Sequence, residues 1–456
     1  MTLFLTVIIA LALCVVCFFS AVLLRKHFSG KDAAGAHLAV FCLWLVSTVV
    51  WGRSFFQLKI PGIFDFTFDR LLLAALAVLL LAGLFSGRVS FRRCSGIELV
   101  LFAFLALGLI SMSLHGFRSA LPEFPSPWGM FISGYLFPAV AFLFARSYLG
   151  NPHGMRIVFT VIFWLGVYLS ITAFFEFFGI RALVFPRYIS DPETLIHLGR
   201  ARGPFLNAGF NGAAIIFGFI CGLHLLPDMK GPARALYLAL LSLAPPAVFF
   251  TQSRSAYLGF LVALVLFLCF YRTRFPKWKA FALPVTLLAA FIIVNIPRMA
   301  SEDRRAGGVA QIEEIEIRMT LFGRSLRLAA MEPFFGVGMG QFVPVAASNF
   351  PVESASFALQ DEVQHFHVLG ILAELGITGA LLYLVLIVLV FRRLYQLRRG
   401  LPAEGFAGGN LILAMTAVWV VYLTTNLFLE PSYCLFLNAV PFALAGAADG
   451  MYSSRA

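Results

Sequence analysis

Charge is scarce in this sequence. Of its 456 residues only 12% are Asp, Glu, Lys or Arg, while 61% are hydrophobic, against roughly 25% charged in soluble domains. That balance excludes a soluble globular protein. Cysteine supplies no framework either. The seven cysteines lie in or beside apolar segments, no CxxC pair occurs, and no histidines cluster at zinc spacing, so neither a disulfide scaffold nor a metal site is indicated. Segments of about ten residues alternating apolar and polar, the mark of a transmembrane barrel, are missing as well.

What the sequence has instead is long apolar runs. Thirteen can be read, over 2–24, 37–52, 70–87, 97–114, 128–148, 157–178, 208–227, 235–251, 255–271, 280–297, 365–391, 408–428 and 434–448, generally long enough to cross a hydrocarbon core of ~30 Å as helices. The expected fold is all-α, a polytopic transmembrane protein of about 12–13 helices. The formal charge of +12 is then first a matter of topology, and no nucleic acid is needed to explain it. The short loops after odd-numbered runs are basic: Arg25, Lys26 and Lys31; Arg88, Arg92 and Arg93; Arg146 and Arg156; Lys230 and Arg234; Arg272, Arg274, Lys277 and Lys279; Arg392, Arg393, Arg398 and Arg399. By the positive-inside rule these loops face the cytoplasm. The first run has no basic residues before it and Arg25 and Lys26 after it, which reads as an uncleaved anchor with its N-terminus outside.

The outer side then carries fourteen arginines and one lysine, Lys59. Arginine grips phosphate through two parallel hydrogen bonds and stays charged at any biological pH, so this bias points to a phosphate-bearing partner. The competing reading is that long translocated loops escape the charge rule and some arginines pair with nearby acids. Two outer loops are long enough to build a site. One spans 179–207. The other, 298–364, opens on the flexible stretch SEDRRAGG. Within it Ile312, Ile315, Met319, Phe322, Leu326 and Ala330 recur at helical spacing opposite Glu313, Glu314, Arg324 and Arg327. This predicts an amphipathic helix over 311–331 at the membrane–water boundary, stopped by Pro333 and followed by the glycine turn GVGMG. Three stretches follow from this organisation: N-terminal membrane helices over 1–178, a core over 179–396 that contains the loop 298–364, and C-terminal membrane helices over 397–456.

Three motifs in that core carry chemistry. GRARGPFLNAGFNGAA, 199–214, places Arg200 and Arg202 before the Gly203–Pro204 break, with Asn207 and Asn211 at the next helix start. A helix N-terminus attracts anions and two guanidinium groups strengthen the attraction; a capped helix with snorkelling arginines fits the same residues. TQSRSAY, 251–257, is a tight outer hairpin whose Arg254 sits at the membrane surface, a costly place unless an anion or water receives it. Its alternative is an interfacial anchor. Finally, His365 and His367 stand at the outer mouth of a long helix, with Glu374 deeper. An imidazole titrates near neutral pH and can act as a general base. Positions i and i+2 point to different faces of a helix, so one of the two is expected to face the site.

In this order the motifs resemble those of the O-antigen ligase and O-antigen polymerase family. R-x-x-G-x-F-x-N is matched by Arg200, Gly203, Phe205 and Asn207, and the S-R hairpin by Ser253, Arg254 and Ser255. The turn P-x-x-G-x-G-x-x-x-F is matched by Pro333, Gly336, Gly338 and Phe342, and the histidine nine residues before E-L-G by His365, Glu374, Leu375 and Gly376. The resemblance covers about 180–395. It departs at Ala208 and Phe366, where the family usually places Pro and Asn. The first bears on donor-sugar contacts, the second on which of His365 and His367 is the base; the spacing to Glu374 favours His365.

The resemblance implies a glycosyltransferase of the bacterial inner membrane, with its active site on the periplasmic side and no cofactor. The donor is an oligo- or polysaccharide on undecaprenyl diphosphate and the acceptor a sugar hydroxyl on another glycolipid, lipid A core in lipopolysaccharide ligation. Arg200, Arg202 and Arg254 hold the diphosphate, His365 is the base, and His367, Glu374, Asn207, Arg324 and Arg327 support them. Fixed guanidinium groups stabilise the leaving diphosphate, no acidic pair stands at metal-binding spacing, and direct displacement inverts the anomeric configuration. A repeat-unit polymerase shares this donor and differs in acceptor; a transporter or flippase is the reading from outside the class.

Overall fold

In a hydrocarbon core every backbone N–H and C=O must be satisfied within the chain, and an apolar segment achieves this as a helix. The computed structural model describes residues 33–51, 55, 67–85, 94–117, 126–194, 197–271, 286, 290, 293–297, 312–350, 365–402 and 405–455. All regular elements among them are helical. The chain is a polytopic helical membrane protein, and seven of its helical stretches are long and apolar enough to cross a membrane by length and composition. The apolar run 2–24, most of 280–297, and the loop residues 298–311 and 351–364 lie outside the described residues.

The helices are α1 Ala33–Val50, α2 Phe68–Phe85, α3 Gly96–His115, α4 Pro127–Phe131, α5 Phe137–Tyr148, α6 Pro152–Phe177, α7 Ala208–Leu225, α8 Gly231–Leu241, α9 Ala244–Phe250 and α10 Arg254–Phe270. After the second long loop begins, α11 Ile312–Met331, α12 Phe342–Asn349, α13 His367–Gly400, α14 Gly409–Asn426 and α15 Leu435–Ser453 follow. A π-helical stretch, Ile132–Leu136, joins α4 to α5. The expected span 235–251 is therefore two helices, α8 and α9, with Ser242 and Leu243 between them. Pro245 and Pro246 lie at the start of α9, where proline needs no intrahelical donor.

Packing is closest where small residues meet. A Cβ added at Gly166 of α6 would lie 2.7 Å from Gly218 Cα of α7, and one added at Gly218 would lie 2.5 Å from Gly166 Cα, so the two backbones touch as membrane helices do at small residues. Helix α7 is buried along its whole length and forms the centre of the bundle.

The bundle has two ends of different chemistry. At the end where α5, α13 and α15 finish, Arg146 pairs with Glu98, and its Nε lies 2.8 Å from Asp449 Oδ2. Arg393 Nε lies 2.7 Å from Asp449 Oδ1, and Arg156 pairs with Asp228 at 2.6 Å. These are the basic loops of the sequence, and here their charges meet carboxylates. At the opposite end lie the heads of α7, α10 and α13, the tail of α6, and α11.

The second loop refines one expectation, and α13 changes another. Residues 312–331 are a helix, but the side turned to the protein is Leu321, Ser325 and Leu328 with Arg324, while Met319 and Leu326 are exposed. The helix has apolar residues on two sides, and within the expected stripe Met319 and Leu326 face outward while Phe322 is half-buried; beside lipid, such exposure carries no hydration cost. Helix α13 is also not continuous. Gly376 has φ 64° and ψ −168°, a conformation open essentially to glycine alone, and it divides α13 into a short outer piece and a long inner one. The turn after α11 fills the break: Val337 and Gly338 donate to the carbonyls of Ala373 and Glu374 at 2.9 and 3.1 Å, and Ile377 and Thr378 donate to those of Pro333 and Phe334 at 2.8 and 3.3 Å. Four backbone groups freed by the break are thus satisfied by the turn, as membrane burial requires.

Candidate active site at the heads of helices α7, α10 and α13

Asn207 caps α7: its Oδ1 accepts from Gly209 and Phe210 N–H at 3.0 and 3.1 Å, satisfying two donors that the first turn leaves open. Close by is Ser253, at the head of α10, whose Oγ lies 2.9 Å from Ser255 Oγ. A Cβ added at Gly209 would meet Leu429 Cδ1 at 2.3 Å and Ser253 Oγ at 3.3 Å. The heads of α7 and α10 and the connection between α14 and α15 therefore converge on one place.

The arginines around it differ. Arg200 is 8% exposed; its Nε and Nη2 donate to the carbonyls of Thr251 and Gln252, both at 2.9 Å. It clamps the hairpin that presents Arg254. Arg202 is 1% exposed. Its guanidinium donates to Ile189 O from Nε at 2.9 Å and Nη2 at 2.7 Å, to Asp191 O at 3.0 Å, and to Thr194 O. Burial lowers its pKa, against which Glu176 and Asp191 pull it up. Its backbone N–H and that of Gly203 donate to the two Glu176 oxygens at 3.2 and 2.9 Å. Arg202 thus organises the loop 187–194 from inside. Arg254, first residue of α10, is half-buried, and among the described residues it makes no hydrogen bond, ion pair or ring contact.

The histidines also differ. His365 is half-buried in a bend before α13, so the two histidines do not stand on one helix, and the expectation that they point to different faces of it does not apply. His367 opens the helix and is 2% exposed. Its Nδ1 lies 2.9 Å from Glu430 Oε1. Glu374 is buried just before the break, where its Oε1 accepts the Phe342 N–H at 3.2 Å; it ties α12 to α13. Arg324 and Arg327 are directed to the end of α12: Arg324 Nη2 donates weakly to Phe350 O at 3.5 Å, and Arg327 Cζ stands 5.8 Å from the Phe350 ring centre. The structure brings Arg200, Asn207 and Arg254 together; it shows Arg324 and Arg327 at α12, not at that cluster.

Three residues escaped the sequence reading. Glu176 anchors the Arg202–Gly203 turn. Arg318 of α11 stands 5.7 Å from the ring centre of Phe428, which places the loop helix over the α14–α15 connection. Glu430 partners His367. The last carried a usable signal: a lone charge in a short outer connection, the criterion that selected Arg254, applies equally to Glu430 before Pro431.

The fold and the cluster define a polytopic membrane protein with, at one end, an arginine beside two helix heads that has no partner among the described residues. The family model for O-antigen ligase matches residues 236–384, which supports the resemblance to the O-antigen ligase and polymerase family over that core. The matched stretch runs from α8 into α13 and contains Arg254, the glycine turn, both histidines and Glu374. No curated protein matches the chain.

Proposed function

We propose that the chain is a glycosyltransferase of the bacterial inner membrane that moves a glycan from undecaprenyl diphosphate to a sugar hydroxyl on a glycolipid at the periplasmic face, as in ligation to lipid A core. The observation that carries this reading is Arg254. At the opposite end of the bundle Arg146, Arg156 and Arg393 have carboxylate partners, whereas Arg254 is half-buried without one among the described residues. A desolvated guanidinium without a partner is costly, and a diphosphate between the heads of α7 and α10 would offset that cost, aided by both helix dipoles.

In the reaction His365 takes the proton of the acceptor hydroxyl. The freed oxygen attacks the anomeric carbon, the bond from that carbon to the diphosphate oxygen breaks, and undecaprenyl diphosphate leaves with the bonding pair, so the anomeric configuration inverts. Arg254 stabilises the charge that develops on the leaving oxygen. Arg200 acts by fixing the Arg254 hairpin, Asn207 by capping α7, and Arg202 by shaping the loop above it. His367 and Glu374 hold the start of α13, and Arg324 and Arg327 hold α12 against α11. In the test, purified protein is given an undecaprenyl diphosphate-linked glycan with either a lipid A core acceptor or a second copy of the donor. A new glycosidic bond to lipid A core supports ligation. Elongation of the donor glycan makes the chain a polymerase, and no bond with any acceptor refutes the enzyme reading.

A further inference from the structure

Glu430 stands in the turn between α14 and α15, far in sequence from any motif of the first reading. Its Oε1 receives three donors: His367 Nδ1 at 2.9 Å, the Ser432 backbone N–H at 3.1 Å, and the Ser432 hydroxyl. The acceptor fixes the tautomer, since a carboxylate there keeps the proton on Nδ1. The ring is held on its flanks by Tyr135, stacked at 6.1 Å and 17°, and by Tyr383, edge-on at 5.1 Å and 82°. Ser432 Oγ lies 3.3 Å from the Tyr135 hydroxyl. His367 is therefore a buried side chain with a fixed ring, tying the head of α13 to the α14–α15 turn and to the π-helical stretch.

Phe366, the residue before the first turn of α13, makes no side-chain cap, and the helix is broken ten residues further on at Gly376. Phe366 packs edge-on against Phe322 of α11 at 5.8 Å. The outer piece of α13 is thus a short segment between a break and an uncapped end. His365 lies immediately before it.

We propose that Glu430 is a positioning residue for transfer: through the His367 ring it fixes the head of α13 and hence the place of the His365 imidazole. The inference rests on His365 as the base. Misplacement of a reacting group by about 1 Å can cost on the order of 10²-fold in rate, whereas donor binding by Arg254, on other helices, is left intact.

The test uses the full-length protein in nanodiscs with an undecaprenyl diphosphate-linked glycan and a lipid A core acceptor, measuring kcat, donor KM and thermal stability. Glu430→Ala and His367→Ala are each expected to lower kcat by about 10–100-fold with donor KM within about twofold, and the double variant to be no worse than the poorer single one, since both break the same link. Glu430→Gln keeps an oxygen acceptor for the Nδ1 proton and is expected to recover most of kcat. Additive losses, a fall in donor affinity equal to that in kcat, or Glu430→Ala at the parental rate would overturn the proposal. His365→Ala is measured beside them. At the parental rate it removes the base and the positioning role with it; inactive beside an active Glu430→Ala, it removes the positioning role alone.

Discussion

Gly336 and Gly376 close on one another across the break in α13. A Cβ at Gly336 would lie 2.3 Å from the Glu374 carbonyl carbon, and one at Gly376 would lie 2.4 Å from that of Phe334. Both have positive φ, 71° and 64°. The turn and the break therefore form a single joint, in which each glycine leaves room for the other strand's backbone.

Gly376→Ala should consequently lose stability by about 2–4 kcal/mol, combining a strained backbone with an overfilled contact. Gly323→Ala is the control, because nothing lies near its added Cβ. Thermal unfolding in detergent checks both; equal midpoints for the two variants would mean the joint does not depend on its glycines.

Arg254→Ala should abolish transfer while the protein inserts and folds normally, because the side chain it removes has no partner to lose among the described residues. Arg254→Lys should restore little, offering a point charge in place of a planar fork. Turnover by the alanine variant at the parental rate with purified lipid-linked donor would remove Arg254 from the site.

Arg202 predicts a different phenotype. Its guanidinium holds the carbonyls of Ile189, Asp191 and Thr194 together, so Arg202→Ala should loosen the loop 187–194 and cost at least ~2 kcal/mol, given about 1.5–3 for a hydrogen bond to a charged group. Limited proteolysis should cut this loop in Arg202→Ala and leave it intact in Arg254→Ala. Resistance of both variants would show that the loop is held by other contacts.

These contrasts also mark what the sequence could and could not tell. Hydropathy and loop charge placed the helices, and the motifs drew the site to one end, because both depend on local composition. Burial is set by tertiary packing. Arg200, Arg202 and Arg254 look alike as letters, yet two are engaged by carbonyls up to 52 residues away and, among the described residues, one is not. The break at Gly376 was hidden for a related reason: apolar periodicity continues across it, and only the turn packed against it supplies the missing partners.

Orientation is a separate matter, testable without activity. Ser348 is exposed near the end of α12. A single cysteine there, in a background free of the native cysteines, should react with a membrane-impermeant reagent in intact spheroplasts. Reaction only after lysis would put this end of the bundle in the cytoplasm and exclude a periplasmic site.

The last prediction separates binding from chemistry. His365 stands before α13 and Arg254 at the head of α10, on different elements, so His365→Ala should bind the lipid-linked donor as the parent does. It should nonetheless lose transfer by about the 10²–10⁴-fold typical of a missing general base. Donor binding is measured directly, with labelled undecaprenyl diphosphate glycan and no acceptor, and transfer by single-turnover formation of the new glycosidic bond. The two readings must diverge for the assignment to stand. Parallel loss of both would mean that His365 shapes the donor site, since a base that acts only on the acceptor hydroxyl has no reason to weaken the grip on diphosphate. Near-parental values of both would mean that the proton goes elsewhere, and His367, whose Nδ1 is already turned to Glu430, would be the next residue to replace.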